Sequence, residues 1–212
     1  PMSTASIRAT TGLARPALAE VMLVGADRFE RIDTSFDLTG LPTQARLLLA
    51  ARALGATRHG LDLLCDYARV RTQFGQKIGQ FQAIQHKLAN CLIGVEVCRL
   101  ALVHAGTADA DPKDDVRAAT AAALAGQYLR QVVLELHHGF GGISFWEEHE
   151  MPRIFRRVHA DLTRLGGVAA ARAQLARTLL EPGARMPEFD LGESANAFRA
   201  EVREWLADHW DH

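Results

Sequence analysis

Donors are concentrated in residues 71–90, RTQFGQKIGQFQAIQHKLAN. Arg71 supplies a guanidinium fork and Gln73 an amide. The backbone N–H groups around Phe74 and Gly75 add main-chain donors where one apolar-periodic run ends and another begins. Such a set suits a pyrophosphate. The same residues admit a second reading, in which Arg71 caps the preceding helix and Phe74 and Phe81 pack inward. A second cluster is 137–157, HHGFGGISFWEEHEMPRIFRR, where Gly141 and Gly142 allow backbone to approach a ligand closely or simply turn the chain between helices.

Glu135-Leu136-His137-His138 is a Glu-x-x-His motif on an apolar helix. Carboxylate-bridged di-metal bundles use two such motifs plus a Glu from each remaining helix. No second Glu-x-x-His occurs in the sequence, so no metal ligand is assigned. Glu147, Glu148 and Glu150 precede the next helix, where acidic residues meet the positive end of its dipole, and are expected to be solvated caps.

The whole chain constrains what these clusters serve. Its 212 residues and 48% hydrophobic content are enough for a sizeable core. Lys+Arg 24 against Asp+Glu 25 leaves no bulk charge for nucleic acid, so partners are small molecules or proteins. Cys65, Cys91 and Cys98 are odd in number, lack C-x-x-C spacing and lie in helical patterns, which predicts buried thiols and a cytoplasmic protein. No uninterrupted apolar run of roughly 18–20 residues is seen, so no membrane span is expected.

Apolar spacing predicts the elements that position the clusters. Residues 17–24, ALAEVMLV, read as one strand. A helix, or a kinked pair weakened at Gly55 and Gly60, runs from Pro42 to Arg71. A second spans Phe81 to Ala105, and a third, alanine-rich, opens with Asp111 as N-cap and Pro112 at the first helical position and reaches His137. A fourth is expected at Glu148–Arg157 and a fifth at Asp161–Leu180. The fold class is thus all-α, an antiparallel bundle. Residues 181–196 read as a linker, and Phe198, Val202, Trp205 and Leu206 share one face of a last helix.

The R-x-Q-F-G turn of Arg71–Gly75 followed by Phe81-Gln82-Ala83-Ile84-Gln85-His86-Lys87-Leu88-Ala89 resembles the C-terminal helical domain of the acyl-CoA dehydrogenases. The glycine turn at 139–142 and Arg156-Arg157 are similar to the same family's second turn, with His138 where the family usually has glutamine and Ser144 in place of a glycine. The resemblance covers roughly residues 17–180. It implies residues 1–40 as the end of a middle β-domain and its connection, 41–180 as the helical bundle, and 197–212, FRAEVREWLADHW included, as the start of a second dehydrogenase-like module. The chain then reads as a piece of a tandem enzyme of two unlike halves.

The resemblance also implies FAD, β-oxidation-type lipid metabolism, an acyl-CoA substrate and an electron-transfer acceptor. Family members built from two unlike halves often take bulky thioesters such as sterol side chains. Arg71, Gln73, Phe74 and Gln82 then contact the FAD diphosphate and ADP part across a subunit interface, with His138, Gly141 and Gly142 near the adenine end. Arg46, 25 residues before Arg71, falls near the acyl-CoA thioester; read without the family it is an ordinary solvated helix residue. The family's base positions fall on Ala45 and on Leu165-Gly166, neither a carboxylate, so no catalytic base is assigned and the isolated chain is expected to be inactive. The alternative is a non-catalytic half that supports an active partner in a homo- or hetero-oligomer. A seam between copies is expected to draw on Tyr128, Val132 and Phe140, beside an alanine-rich helix that either meets a partner or fills a central position in its own bundle.

Overall fold

The computed structural model describes residues 5–9, 19–23, 41–106, 115–181 and 192–210. The chain divides into two compact units, Pro1–Arg177 and Thr178–His212. In the first, strands β1 (Ala5–Ala9) and β2 (Ala19–Leu23) pair antiparallel, with Ile7 opposite Val21. The expected strand at 17–24 therefore has a partner that alternation did not single out. Helix α1 (Leu41–Val70) is followed by two short strands, β3 (Thr72–Gln73) and β4 (Gln76–Lys77), then α2 (Gln82–Gly106), α3 (Asp115–Phe140), α4 (Met151–Thr163) and α5 (Gly167–Leu179). The second unit contains α6 (Glu193–His209).

Helices α1 to α4 alternate in direction, and α3 is the central one, packed on α1, α2 and α4. Its buried stripe, Ala125, Leu129, Val132, Val133 and Leu136, meets Leu61 and Leu64 of α1, Cys91, Val95 and Cys98 of α2, and Met151 and Val158 of α4. The alanine-rich helix thus fills the core of its own bundle. Val132 and Phe140, 4% and 5% exposed, belong to that core and cannot form the expected seam; Tyr128 is half-buried against it. Their apolar area is consumed by α1 and α2 instead.

Helix α1 is one unbroken helix of 30 residues, about 45 Å long at 1.5 Å per residue, and not a kinked pair. Gly60 is an interior residue at a close crossing. A Cβ there would lie 2.9 Å from Leu136 Cδ1, and one at Gly139 of α3 would lie 2.5 Å from Leu64 Cδ2. Packing, not chain breaking, explains both glycines.

Several boundaries differ from expectation. The Asp111–Pro112 cap lies outside the described residues. Residues 141–145 form a 3-10 turn and α4 starts only at Met151, with Pro152 in its first turn. Asp161 belongs to α4 and does not open α5, because Gly166 (φ 82°) and Gly167 (φ 54°) are both left-handed and break the helix between them. Helix α6 begins at Glu193, before the expected end of the linker at 196; residues 182–191 lie outside the described residues. Its Phe198, Trp205 and Trp210 are exposed.

Helix α2, although interrupted by Lys87, Glu96 and Arg99, is long and apolar enough by length and composition alone to cross a membrane, with a mean hydropathy of 1.5 over 18 residues. Its few charges are spaced widely enough for averaging to dilute them. Cys91 and Cys98 on its inner face are buried free thiols whose pKa values burial pushes up to about 11 and about 12; Cys65 is half-buried.

Candidate cofactor and substrate site

The chain leaves α1 through a tight hairpin. Thr72 pairs with Lys77 and Gln73 with Gln76, so Phe74 and Gly75 form a two-residue loop. Their φ values, 52° and 81°, are those of a type I′ turn, whose twist suits antiparallel strands. Lys77 Nζ donates to the Val70 carbonyl oxygen at 2.8 Å, and Ile78 N donates to Arg71 O at 2.9 Å. Lys77 therefore caps α1, the task that one sequence reading gave to Arg71. The Arg71 side chain is exposed and has no partner among the described residues, and neither has Gln73 or Gln82.

Phe74 does not pack inward either. It is 93% exposed and meets only the edge of Phe81, ring centroids 6.4 Å apart, while Phe81 itself is half-buried. Gln85 Nε2 donates to Gly79 O at 2.9 Å, tying the connection to the first turn of α2. From Arg71 to Asn90 the sequence contains no Asp or Glu, so every ionic side chain there is a cation or a histidine. A donor set without a competing carboxylate fits a diphosphate.

The second turn lies at the same end of the bundle. The rings of Tyr67 of α1 and Phe140 of α3 pack tilted with centroids 5.2 Å apart, and Lys87 Nζ lies 3.2 Å from His138 Nδ1. Arg71, Gln73, Phe74, Gln82, His138, Gly141 and Gly142 are thus grouped at one pole. Gly141 is left-handed, φ 67°, and open space surrounds both it and Gly142. The turn is locked from inside by Ser144, fully buried, whose Oγ donates to Gly141 O at 2.7 Å and lies 3.0 Å from His137 Nδ1. That arrangement makes Nδ1 of His137 the donor and leaves its buried Nε2 without a partner. Burial first, then His149 and His159, hold the His137 pKa below the ordinary value. Sequence reasoning noted Ser144 only as a departure and missed its structural role.

Glu135 is engaged away from any metal geometry. It forms an ion pair with Lys87 and accepts from Gln131 Nε2 at 3.1 Å, and Lys87 depresses its pKa. Among the described residues no three His, Cys, Asp or Glu side chains converge. Two of the expected solvated caps are likewise paired. Glu147 holds Arg156 through two bonds of 2.6 and 2.7 Å, and Glu150 lies 3.0 Å from His59 Nε2.

Arg46 lies elsewhere. Twenty-five residues before Arg71, which directly follows the last residue of the same helix, it is about 37 Å away, so the two cannot hold one small ligand within one chain. It is half-buried, and its Nη1 donates to Gln174 Oε1 of α5 at 3.0 Å, which is not the environment of an ordinary solvated residue. Beside it Arg52 clasps Asp161 through bonds of 2.8 and 2.5 Å, and the Asp161 carboxylate is fully buried. Arg46, Asp161, Arg164 and Gly167 border one small recess. Ala45 and Gly166 lie near this pole in sequence and carry no carboxylate.

The bundle thus displays donors without a partner among the described residues at one pole and arginines engaged by Gln174 and Asp161 at the other. Comparison with known sequences gives it a family. The profile of the acyl-CoA dehydrogenase C-terminal domain matches residues 39–180, and the chain belongs to the acyl-CoA dehydrogenase family. It is 37% identical over 130 residues to the acyl-CoA dehydrogenase IpdE2 of Mycolicibacterium smegmatis, covering 61% of this chain and 40% of that protein. It is 30% identical over 182 residues to FadE27 of Mycobacterium tuberculosis, covering 82% and 49%. Among solved structures, the Tcur3481-Tcur3483 steroid acyl-CoA dehydrogenase variant superimposes with a TM-score of 0.67 at 28% identity, covering 85% of this chain and 50% of that one. The chain spans half or less of each of these relatives.

Proposed function

We propose that this chain is the C-terminal part of an FAD-dependent dehydrogenase half that acts on an acyl-CoA thioester. The observation that carries the reading is the Arg71 hairpin. Lys77 caps the helix, Arg71, Gln73 and Gln82 have no partner among the described residues, and the sequence from 71 to 90 contributes no carboxylate of its own. Arg71 would clamp a phosphate pair with its fork, Gln73 and Gln82 would donate amides, and Phe74 would cover an apolar edge. His138 and the open backbone of Gly141 and Gly142 would border the adenine end. FAD, when bound, supplies the acceptor for the hydride of α,β-dehydrogenation.

Arg46, near the buried Arg52–Asp161 pair, would face the thioester end of a different site. The two poles then serve two cofactors in an oligomer of dehydrogenase-like halves. The printed name of the Tcur3481-Tcur3483 structure supports a bulky, steroid-type acyl group as substrate, and an electron-transfer flavoprotein as acceptor agrees with the fold shared with such a system.

Residues 181–196 are read as a linker and 197–212 as the start of a second module, with 1–40 closing a preceding β-domain. In support, the 126 residues matched to FadE34 of Mycobacterium tuberculosis, 36% identical, make up only 18% of that protein. A second reading, a half that lacks its own chemistry, is favoured by one observation. Both base positions, Ala45 and Leu165-Gly166, are uncharged, and the buried carboxylate nearby, Asp161, is held by Arg52. The test is flavin retention on dilution by the full-length protein and its Arg71→Ala variant. Loss of about 1.5–3 kcal/mol of affinity is expected for a charged hydrogen bond. Unchanged occupancy would refute the phosphate role.

A further inference from the structure

Of residues 141–146, which follow α3, only Ser144 is buried. Gly141 and Gly142 have no side chain with which to anchor their turn, and Phe145 and Trp146 are 74% and 67% exposed. One hydroxyl therefore ties the turn to the interior. Ser144 Oγ lies 2.7 Å from Gly141 O, 3.1 Å from His137 O and 3.0 Å from His137 Nδ1. A hydroxyl has a single proton to give. With two carbonyl oxygens already competing for it, the third contact holds only if His137 donates from Nδ1.

The surroundings of His137 keep it in that form. Its ring meets those of Phe145 and Phe155, centroids 5.3 and 5.0 Å away, and its Nε2 is buried with no partner. A proton gained there would create a cation whose neighbouring acids are engaged elsewhere, Glu135 by Lys87, Glu147 by Arg156 and Glu150 by His59. The titratable groups that bear on the ring are two further imidazoles. His149, just before α4, accepts from Met151 N at Nδ1, and His159 of α4 donates from Nδ1 to Phe155 O. His137 is thus neutral, its one proton committed to Ser144.

The glycines above this pair are not all explained by the chain itself. Gly141 needs its freedom for a left-handed φ of 67°. Gly142 has no positive φ, and a Cβ added to it would meet nothing within 4 Å. Neither backbone conformation nor packing within this chain requires glycine there. A stretch of backbone left bare on the outside and fixed from beneath suits close approach by the flat face of a ligand.

We propose that His137 is a positioning residue for the ligand of this pole: through Ser144 it holds the bare Gly141–Gly142 backbone in place for a flat aromatic group, the adenine ring of the proposed cofactor. It rests on reading this pole as a cofactor site and adds the buried pair that shapes it. Two measurements test it, flavin retention on dilution of the full-length protein and hydrogen exchange of amides 142–146 in the flavin-depleted protein, with circular dichroism as the check on folding. Ser144→Ala should speed exchange in the turn and weaken flavin retention more than ~10-fold. His137→Phe, which keeps a ring against Phe145 and Phe155 but has no donor, should do the same. His137→Asn sets an amide N–H near the position of Nδ1 and should restore both, a rescue that ring packing alone would not produce. Wild-type retention should also fall as pH drops below about 6.5, and His137→Asn, with no imidazole to charge there, should fall less steeply. Unchanged retention in Ser144→Ala, a His137→Asn variant no better than His137→Phe, or the same acid loss in wild type and His137→Asn would overturn the proposal. So would flavin loss without faster exchange in the turn. Arg71→Ala should lower flavin retention and leave exchange unchanged. If Arg71→Ala keeps its flavin while Ser144→Ala loses it, the phosphate role fails and the clamp stands; the reverse result discards the clamp and keeps the cofactor site.

Discussion

The two ends of α1 carry arginines in opposite conditions. At the Arg46 end polar side chains are satisfied within the fold: Arg46 by Gln174, and Asp161, fully buried, by two bonds from Arg52. At the Arg71 end the backbone is held by Lys77 while the guanidinium and the neighbouring amides are left open. One end uses charge to hold helices together, and the other holds its backbone so that charge can be offered outward. The same residue type is thus engaged within the fold at one end and, under the proposed function, left for a ligand at the other.

The largest expected effect tests the closed end. Arg52→Ala leaves the Asp161 carboxylate buried without its partner and should cost about 3–5 kcal/mol in urea unfolding. Asp161→Ala should cost less, because the Arg52 side chain is 40% exposed and can be hydrated. Equal losses, or a loss below ~1 kcal/mol for Arg52→Ala, would erase the contrast between the ends. Next, Arg71→Ala should lower flavin affinity while changing unfolding free energy by no more than ~0.5 kcal/mol, as befits an exposed side chain without structural partners. A large stability loss would move Arg71 into the same class as Arg52.

A smaller effect is expected from acid. The pKa of His137 is held low in the fold, chiefly by burial, so the unfolded chain binds the proton more readily. Its contribution to stability is fully present above the ordinary imidazole value of about 6.5 and is lost as pH falls through that value towards the depressed one. His159, also lowered mainly by burial, adds to the loss in the same direction. Stability that stays flat below pH ~6.5 would show that neither imidazole is protected. The smallest change is expected for Phe74→Ala. With the ring 93% exposed, unfolding should shift by no more than ~0.5 kcal/mol. A greater loss would mean that the hairpin contributes to the core after all.

Much of the bundle is legible from apolar spacing, because α1, α2 and α3 are long enough for the helical period to outlast local exceptions. Gly55 and Gly60 misled only as to a kink, since at Gly60 the missing side chain answers Leu136, a contact 76 positions away in sequence. Asp161 was illegible for a related reason. Its partner, Arg52, lies on another helix, and no local pattern separates a buried acid from one that opens a helix. At the candidate site the residue types of the Arg71 turn could be read as cap or as ligand. The reach of Lys77 back to Val70, a fact of three dimensions, takes the capping role from Arg71. The seam residues Val132 and Phe140 were misplaced because large apolar residues look the same whether they face a neighbouring helix or another molecule.

Phe74 adopts φ 52°, a left-handed conformation that costs an L-residue roughly 1–2 kcal/mol, and its exposed ring recovers almost nothing by burial. The turn nevertheless stays shut, because the paired strands and the Lys77 tether fix it from both sides. The backbone strain is therefore present before any ligand arrives. A molecule docking on this pole meets a loop already ordered, and need not supply the entropy of arranging it. In this sense the hairpin trades a standing penalty in the unliganded fold for a smaller one at the moment of encounter.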